Sequence, residues 1–67
     1  MTKQDEIVAF IAAYYREHSY PPSVRDIGTA VGLSSTSTVH HHLRALQREG
    51  RITHDPKIPR SILVVTR

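Results

Sequence analysis

Ile7, Phe10, Ile11 and Tyr14 recur at the i, i+3, i+4, i+7 spacing of one helical face, and Val8, Ala12 and Tyr15 widen that face. The pattern predicts a first helix over about residues 3–18. Thr2 is placed to cap it, with Asp5 at the third position to return the bond and to set negative charge near the positive end of the helix dipole. Tyr20, Pro21 and Pro22 end the segment, because each proline forces extended geometry on its predecessor and neither can continue a helix. A second helix, about 24–31, follows with Ser23 and Asp26 as its capping pair and Ile27, Ala30 and Val31 as its inward stripe. Gly28 inside that helix costs roughly 1 kcal/mol relative to alanine, which points either to a second backbone passing close by or to a tolerated weak spot. Gly32 is suited to the left-handed residue that terminates a helix, after which Leu33 turns back toward the core.

A third helix, about 35–49, opens in the run Ser34, Ser35, Thr36, Ser37, Thr38, where any of the first residues is a candidate cap; Ser34 is read as a cap rather than a base contact. Val39, Leu43 and Leu46 form its inward arc, His42 lies beside that arc as a packed, hydrogen-bonded flank residue, and Gly50 closes the helix. Ile52 and Thr53, then a turn holding Asp55, Pro56, Lys57, Ile58 and Pro59, then Ile62 to Val65 read as a β-hairpin over about residues 51–65. The expected fold is mainly α with a small β-hairpin: three helices, the second and third joined by a tight glycine turn, and a wing, which is a winged helix-turn-helix.

Length and composition narrow what such a fold does. Sixty-seven residues allow one domain, 1–67, and exclude a two-domain enzyme. No apolar run approaches the roughly 20 residues of a membrane span, and Asp5 and Glu6 stand where a secretory leader needs its apolar stretch, so the expected compartment is the cytoplasm. The absence of cysteine removes disulfides, thiolate nucleophiles and cysteine-based zinc sites. Nine Lys and Arg against six Asp and Glu give a net charge of +3, a modest lean toward polyanions.

With Val39, Leu43 and Leu46 inward, Ser37, His41, Arg44 and Arg48 project to the opposite face of the third helix, flanked by Thr38 and His40. The first two turns of that face carry no Lys or Arg, since none occurs between Arg25 and Arg44. Short hydroxyls and imidazoles at a helix tip approach base edges closely and donate or accept hydrogen bonds in the major groove. Arg25, Arg44, Arg48, Lys57 and Arg60 surround the tip as candidate phosphate grips, with backbone N–H groups at Ser23 and at the start of the third helix as further anion donors. The plainer alternative is a solvated face, with Arg48 and Arg51 complementing the helix dipole and Lys57 and Arg60 solubilising a hairpin edge. Tyr14, Tyr15 and Tyr20 are read as core-edge packing rather than a base-stacking platform. His40, His41 and His42 diverge by about 100° per residue and do not chelate one ion as an i, i+4 pair does, so no metal and no other cofactor is expected. No spacing sets a nucleophile beside a base, so no catalytic residue is assigned.

The stretch YPPSVRDIGTAVGLSSTSTVHHHLRALQREGRI, followed by DPKIPRSI, closely resembles the N-terminal DNA-binding domain of the LexA repressor family. The resemblance runs from the first helix to the end of the hairpin. It implies a repressor of DNA-damage (SOS) response genes that binds an inverted-repeat operator in double-stranded DNA as a homodimer. Carried onto matching positions, it implies base reading by Ser35, Ser37, Thr38, His40 and His41, with Ser23, Arg25, Thr36, Arg44, Lys57 and Arg60 toward the phosphate backbone and wing. The SSTSTVH form is similar to the branch that reads GAAC and GTTC half-sites, and His41 stands at a position that varies in the family. The family's self-cleaving Ser-Lys domain, which also supplies most of the dimer contact, is absent from these 67 residues, so no peptidase activity and a mainly monomeric state are expected of them. Two rivals stand beside this reading: a winged helix that docks a protein through its wing or first helix, and an RNA-binding module. The scarcity of large apolar residues outside the expected core argues against the first, and the missing Gly-Phe and aromatic signatures of RNA modules argue against the second.

Overall fold

The structure, a computed structural model, describes residues 2–55 and 57–65; Pro56, which the sequence sets in the hairpin turn, lies outside the described residues. Three helices, α1 (Lys3–His18), α2 (Val24–Val31) and α3 (Thr36–Arg48), precede strands β1 (Ile52–Thr53) and β2 (Leu63–Val64). The strands pair antiparallel, Ile52 opposite Val64 and Thr53 opposite Leu63.

Two helix starts are set by the same chemistry. The Thr2 hydroxyl accepts from the Asp5 N–H at 3.1 Å while the Asp5 carboxylate accepts from the Thr2 N–H at 3.2 Å. Ser23 and Asp26 repeat the exchange at 3.0 Å in both directions. Each box satisfies donors that the first helical turn leaves without partners. The third start differs. Ser35, not Ser34, is the N-cap of α3, and its side chain makes no capping bond. The third helical position is Thr38, which has no carboxylate to return a bond to the N-cap. α3 is one residue shorter at each end than the 35–49 read from the pattern.

The helix ends are turns of left-handed backbone. Ser19 ends α1 at φ 65°, before the prolines, and Pro22 is fully buried. Gly32 ends α2 at φ 75°, and the N–H of Leu33 donates to the Gly28 carbonyl at 2.8 Å. Gly50 follows α3 at φ 75°, with Arg51 N–H to Leu46 O at 2.9 Å and Gly50 N–H to Gln47 O at 3.0 Å. That is the paired closure in which glycine takes the left-handed position.

The core is a single cluster: Ile7 and Ile11 of α1, Ile27 and Val31 of α2, Val39, Leu43 and Leu46 of α3, Ile52 of β1, and Ile62 just before β2. Phe10, Val8, Val24, Leu33 and Val64 pack against its margin. The two readings left open for Gly28 resolve into close approach: a Cβ there would lie 3.1 Å from the Leu33 carbonyl oxygen and 3.2 Å from Val39 Cγ2. Several expected core positions are corrected. Ala30 is exposed, because Val24, Ile27, Gly28 and Val31 define an inward arc of α2 that lies more than a quarter turn from it. Tyr15 is 47% and Tyr20 46% exposed, beyond the core edge expected of them, while half-buried Tyr14 keeps that place with its ring 5.6 Å from that of Phe10. His42 is packed on the flank of α3, but its Nδ1 is buried without a hydrogen-bond partner among the described residues, against the hydrogen-bonded state expected of it.

Salt links fasten α1 to its neighbours. Lys3 Nζ donates to the Val31 carbonyl at 2.7 Å, placing a cation at the negative end of α2, and Arg51 pairs with Asp5 at 2.9 Å. The Arg51 hydrogen bond, then the Thr2 backbone N–H, hold the Asp5 carboxyl below its usual range.

Candidate nucleic-acid interface

Thr36, Ser37, Thr38, His40, His41 and Arg44 are all exposed on α3, continuous with exposed Ser34 and Ser35 in the turn before it. The buried Val39, Leu43 and Leu46 fix this orientation, since they anchor the opposite side of the same helix. Because Ser35 caps through its backbone alone, the hydroxyls from Ser34 to Thr38 have no side-chain hydrogen bond among the described residues. A helix tip with unengaged donors and acceptors and no charge is suited to touching groups that carry their own hydrogen-bond pattern.

The remaining predicted residues surround the tip in two groups. Arg25 and Thr29 of α2 share a 310 Å³ cleft with Ser34, Thr36, Gly28 and Val39, so Arg25 stands beside the start of α3. On the other side, Ser23 and Val24 share a second cleft with His40 and with His54, Ile58, Pro59 and Ile62 of the wing. The wing is held at its root by Gln47 Nε2, which donates to the His54 carbonyl at 3.3 Å, and by the Val65 N–H, which donates to the Arg51 carbonyl at 2.9 Å. Its turn closes on itself. Asp55 N–H donates to Ser61 Oγ at 3.0 Å, Ser61 Oγ donates to Asp55 O at 2.8 Å, and Lys57 N–H donates to Asp55 Oδ1 at 3.0 Å.

The cations divide sharply. Among the described residues Lys3, Arg51 and Arg60 are in ion pairs, with Glu6, Asp5 and Asp26. Arg16 of α1 and Arg25, Arg44, Arg48 and Lys57 of α2, α3 and the wing are in none. Four of the five unpaired cations among the described residues are therefore carried by the elements that surround the tip, and the fifth, Arg16, lies on α1. Arg60, expected among the phosphate and wing residues, turns its guanidinium to the α1–α2 corner, within 3.2 Å of Asp26 and 3.3 Å of the Tyr14 hydroxyl. The Asp26 carboxyl is held below its usual range first by the Ser23 backbone N–H and in part by Arg60.

His54 is the residue that pattern reading missed. It is half-buried in the cleft beside His40, and burial first, then the nearby His40, push its imidazole below its usual value. A signal was present: in a strand, residues two apart share a face, so His54 follows buried Ile52 toward the body of the protein. Among the described residues no three metal-ligating side chains come together, and no helix is long and apolar enough to cross a membrane.

A short helix, a glycine turn, a second helix with its outer face free, and a hairpin packed against that helix define a winged helix-turn-helix. Residues 1–61 match the family described as LexA DNA binding domain, and the chain belongs to that family. It is 52% identical over 64 residues to the LexA repressor of Shouchella clausii, covering 96% of this chain and 31% of that protein. It is 52% identical over 63 residues to the LexA repressor of Caldicellulosiruptor saccharolyticus, covering 94% and 31% respectively. The LexA repressor of Brevibacillus brevis is 52% identical over 61 residues, 91% of this chain and 30% of that protein. The chain thus spans about a third of the length of the relatives it matches.

Proposed function

We propose that this chain reads double-stranded DNA sequence-specifically by laying the start of α3 in the major groove, as the operator-recognition domain of a repressor. Ser35, Ser37, Thr38, His40 and His41 contact base edges, while Ser23, Arg25, Thr36, Arg44 and Lys57 hold phosphates on either side. The observation that carries this reading is the uncharged tip whose hydroxyls are exposed and unengaged, ringed by cations that no carboxylate neutralises. At the N-terminus of α2 the Ser23 N–H is taken by the Asp26 carboxylate, so the donors left for a phosphate are the N–H groups of Val24 and Arg25. By likeness to its relatives the DNA is an inverted-repeat operator of DNA-damage response genes, bound in the cytoplasm by two copies. The 67 residues alone act as monomers that occupy one half-site weakly, and two copies on adjacent half-sites recover affinity when tethered. The role proposed for these residues is binding, with no catalytic step.

Titration of an inverted-repeat operator duplex and a scrambled duplex at several salt concentrations tests this. Three phosphate cations, Arg25, Arg44 and Lys57, give a log–log salt slope of about −2.7, at roughly 0.9 per phosphate. Ser37→Ala and His41→Ala each lower operator affinity by about 1–3 kcal/mol and leave scrambled binding nearly unchanged. Lys57→Ala weakens both duplexes alike and flattens the slope by about one. Equal losses on both duplexes for the α3 variants would remove them from base reading.

A further inference from the structure

We propose that Arg60 is a positioning residue for DNA binding, a latch that fixes the wing turn and the N-terminus of α2 as one unit, and not a phosphate grip. This inference rests on the DNA-binding reading above.

The wing has little means of holding itself. Each of its strands is two residues long, and isolated two-stranded hairpins are marginal in water. Its strands are anchored by buried Ile52 and Ile62, by the packing of β1 on α3 and β2 on α1, and by the Gln47 bond, but these hold the strands and not the turn. Toward the turn, Ile58 and Pro59 are exposed and the local hydrogen bonds stay within the turn itself. Arg60 supplies the long-range hydrogen bonds of the turn. A single guanidinium nitrogen, Nη1, donates to the Tyr14 hydroxyl at 3.3 Å, to the Pro21 carbonyl at 3.1 Å and to Asp26 Oδ2 at 3.2 Å. Two hydrogens serve three acceptors, so one bond is shared. The guanidinium carbon also lies 5.1 Å from the centre of the Tyr20 ring, and Tyr20 is in turn edge-on to Tyr14 at 5.8 Å. One side chain therefore joins the wing to α1, to the proline turn and to α2, across 34 to 46 residues of sequence.

The backbone agrees with this role. Arg60 sits at φ 55°, in the left-handed region that residues other than glycine avoid. Such a conformation persists where surrounding contacts fix it, and here the contacts that fix it are those of the guanidinium. The acceptor chosen matters as well. Asp26 Oδ2 receives both Arg60 and the N–H of Ser23, so the oxygen that closes the α2 capping box is the oxygen that holds the wing. The wing turn carrying Lys57 and the helix start carrying Ser23, two groups proposed to meet phosphates, are thereby set relative to each other. A planar fork stacked on an aromatic ring performs this; a lysine ammonium does not reproduce it.

The test compares Arg60→Ala, Arg60→Lys, Tyr14→Phe and Lys57→Ala in the 67-residue chain, by operator titration across salt concentrations and by backbone ¹⁵N heteronuclear NOEs of the free protein. For Arg60→Ala a roughly tenfold loss of affinity is expected with the salt slope unchanged, together with lowered NOEs at residues 57–61. Arg60→Lys keeps the charge and is expected to recover less than half of that loss. Tyr14→Phe, on the helix farthest from the proposed readers and with no charge altered, is expected to lose two- to threefold at constant slope. Lys57→Ala is expected to flatten the slope by about one while its NOEs stay at wild-type values. A slope that falls by one in Arg60→Ala, near wild-type affinity in Arg60→Lys, or unchanged wing NOEs in Arg60→Ala would each overturn the latch. Failure of the wild-type chain to bind any duplex would instead defeat the DNA reading, and the positioning role with it.

Discussion

Gly28→Ala sets two magnitudes against each other at the joint between α2 and α3. In the interior of a helix, alanine is favoured over glycine by roughly 1 kcal/mol, so on helix propensity alone the variant is stabilised. The structure opposes this. The added methyl lies 3.1 Å from the Leu33 carbonyl oxygen and 3.2 Å from Val39 Cγ2, both tighter than ordinary contact. Neither neighbour gives way easily: the Leu33 segment is tied back by its N–H to the Gly28 carbonyl at 2.8 Å, and Val39 is a β-branched residue only 1% exposed in the core. Overpacking of this kind costs about 1–3 kcal/mol. The net expectation is a loss of about 1 kcal/mol, read as a fall in melting temperature of about 4–8 °C for a domain this size. Urea denaturation and calorimetry of the 67-residue chain measure it. Operator affinity falls in parallel, because relief of the clash swings α3 away from α2. Gly32 supplies the contrast: it stands at φ 75° in open space, so Gly32→Ala is costly through backbone conformation and Gly32→Asn recovers much of that cost. Gly28→Asn should recover nothing. A Gly28→Ala variant as stable as the parent chain, or more so, would refute the close-packed joint.

Ser23→Ala is expected to destabilise the fold by about 1 kcal/mol, whereas Ser35→Ala, whose hydroxyl caps nothing, costs a few tenths at most while still lowering operator discrimination; chemical denaturation beside duplex titration separates the two effects. Stability should also fall in two stages as pH is lowered. His54 has a folded pKa below its usual 6.5, chiefly through burial and then through His40, so the unfolded chain takes up the proton more readily and stability present above 6.5 is lost as pH falls toward the folded value. Asp5 and Asp26 have folded pKa values below 3.8, so the stability they add is present above 3.8 and is lost as pH falls through the folded values. Denaturation midpoints followed across pH check this: His54→Gln should remove the first stage and leave the second, and a first stage that survives the substitution would dismiss His54 as its source.

Local chemistry was legible along the chain wherever a residue's neighbours in sequence are also its neighbours in space. Thr2 with Asp5 and Ser23 with Asp26 are three residues apart, and a helical turn brings each pair into contact whatever the rest of the molecule does. Val39, Leu43 and Leu46 likewise orient α3 from periodicity alone, which is why its polar outer face was readable. Legibility ends where the outcome depends on which element covers which. Tyr15 continues the apolar face of α1 yet lies beyond the last fully buried turn, and Ala30 belongs to a helix too short for three residues to define its inward direction. The same limit governs charge. Arg60 and Lys57 are alike as wing cations in the sequence, but one finds a carboxylate 34 positions earlier and the other finds none among the described residues. Asp26 could not be assigned to Arg60 by any spacing rule, because the proline turn at Pro21 and the curl of the wing together create that meeting. Residue type therefore told where positive charge is carried, while only the packed fold distinguishes the cation that is held from the cations left to meet a partner.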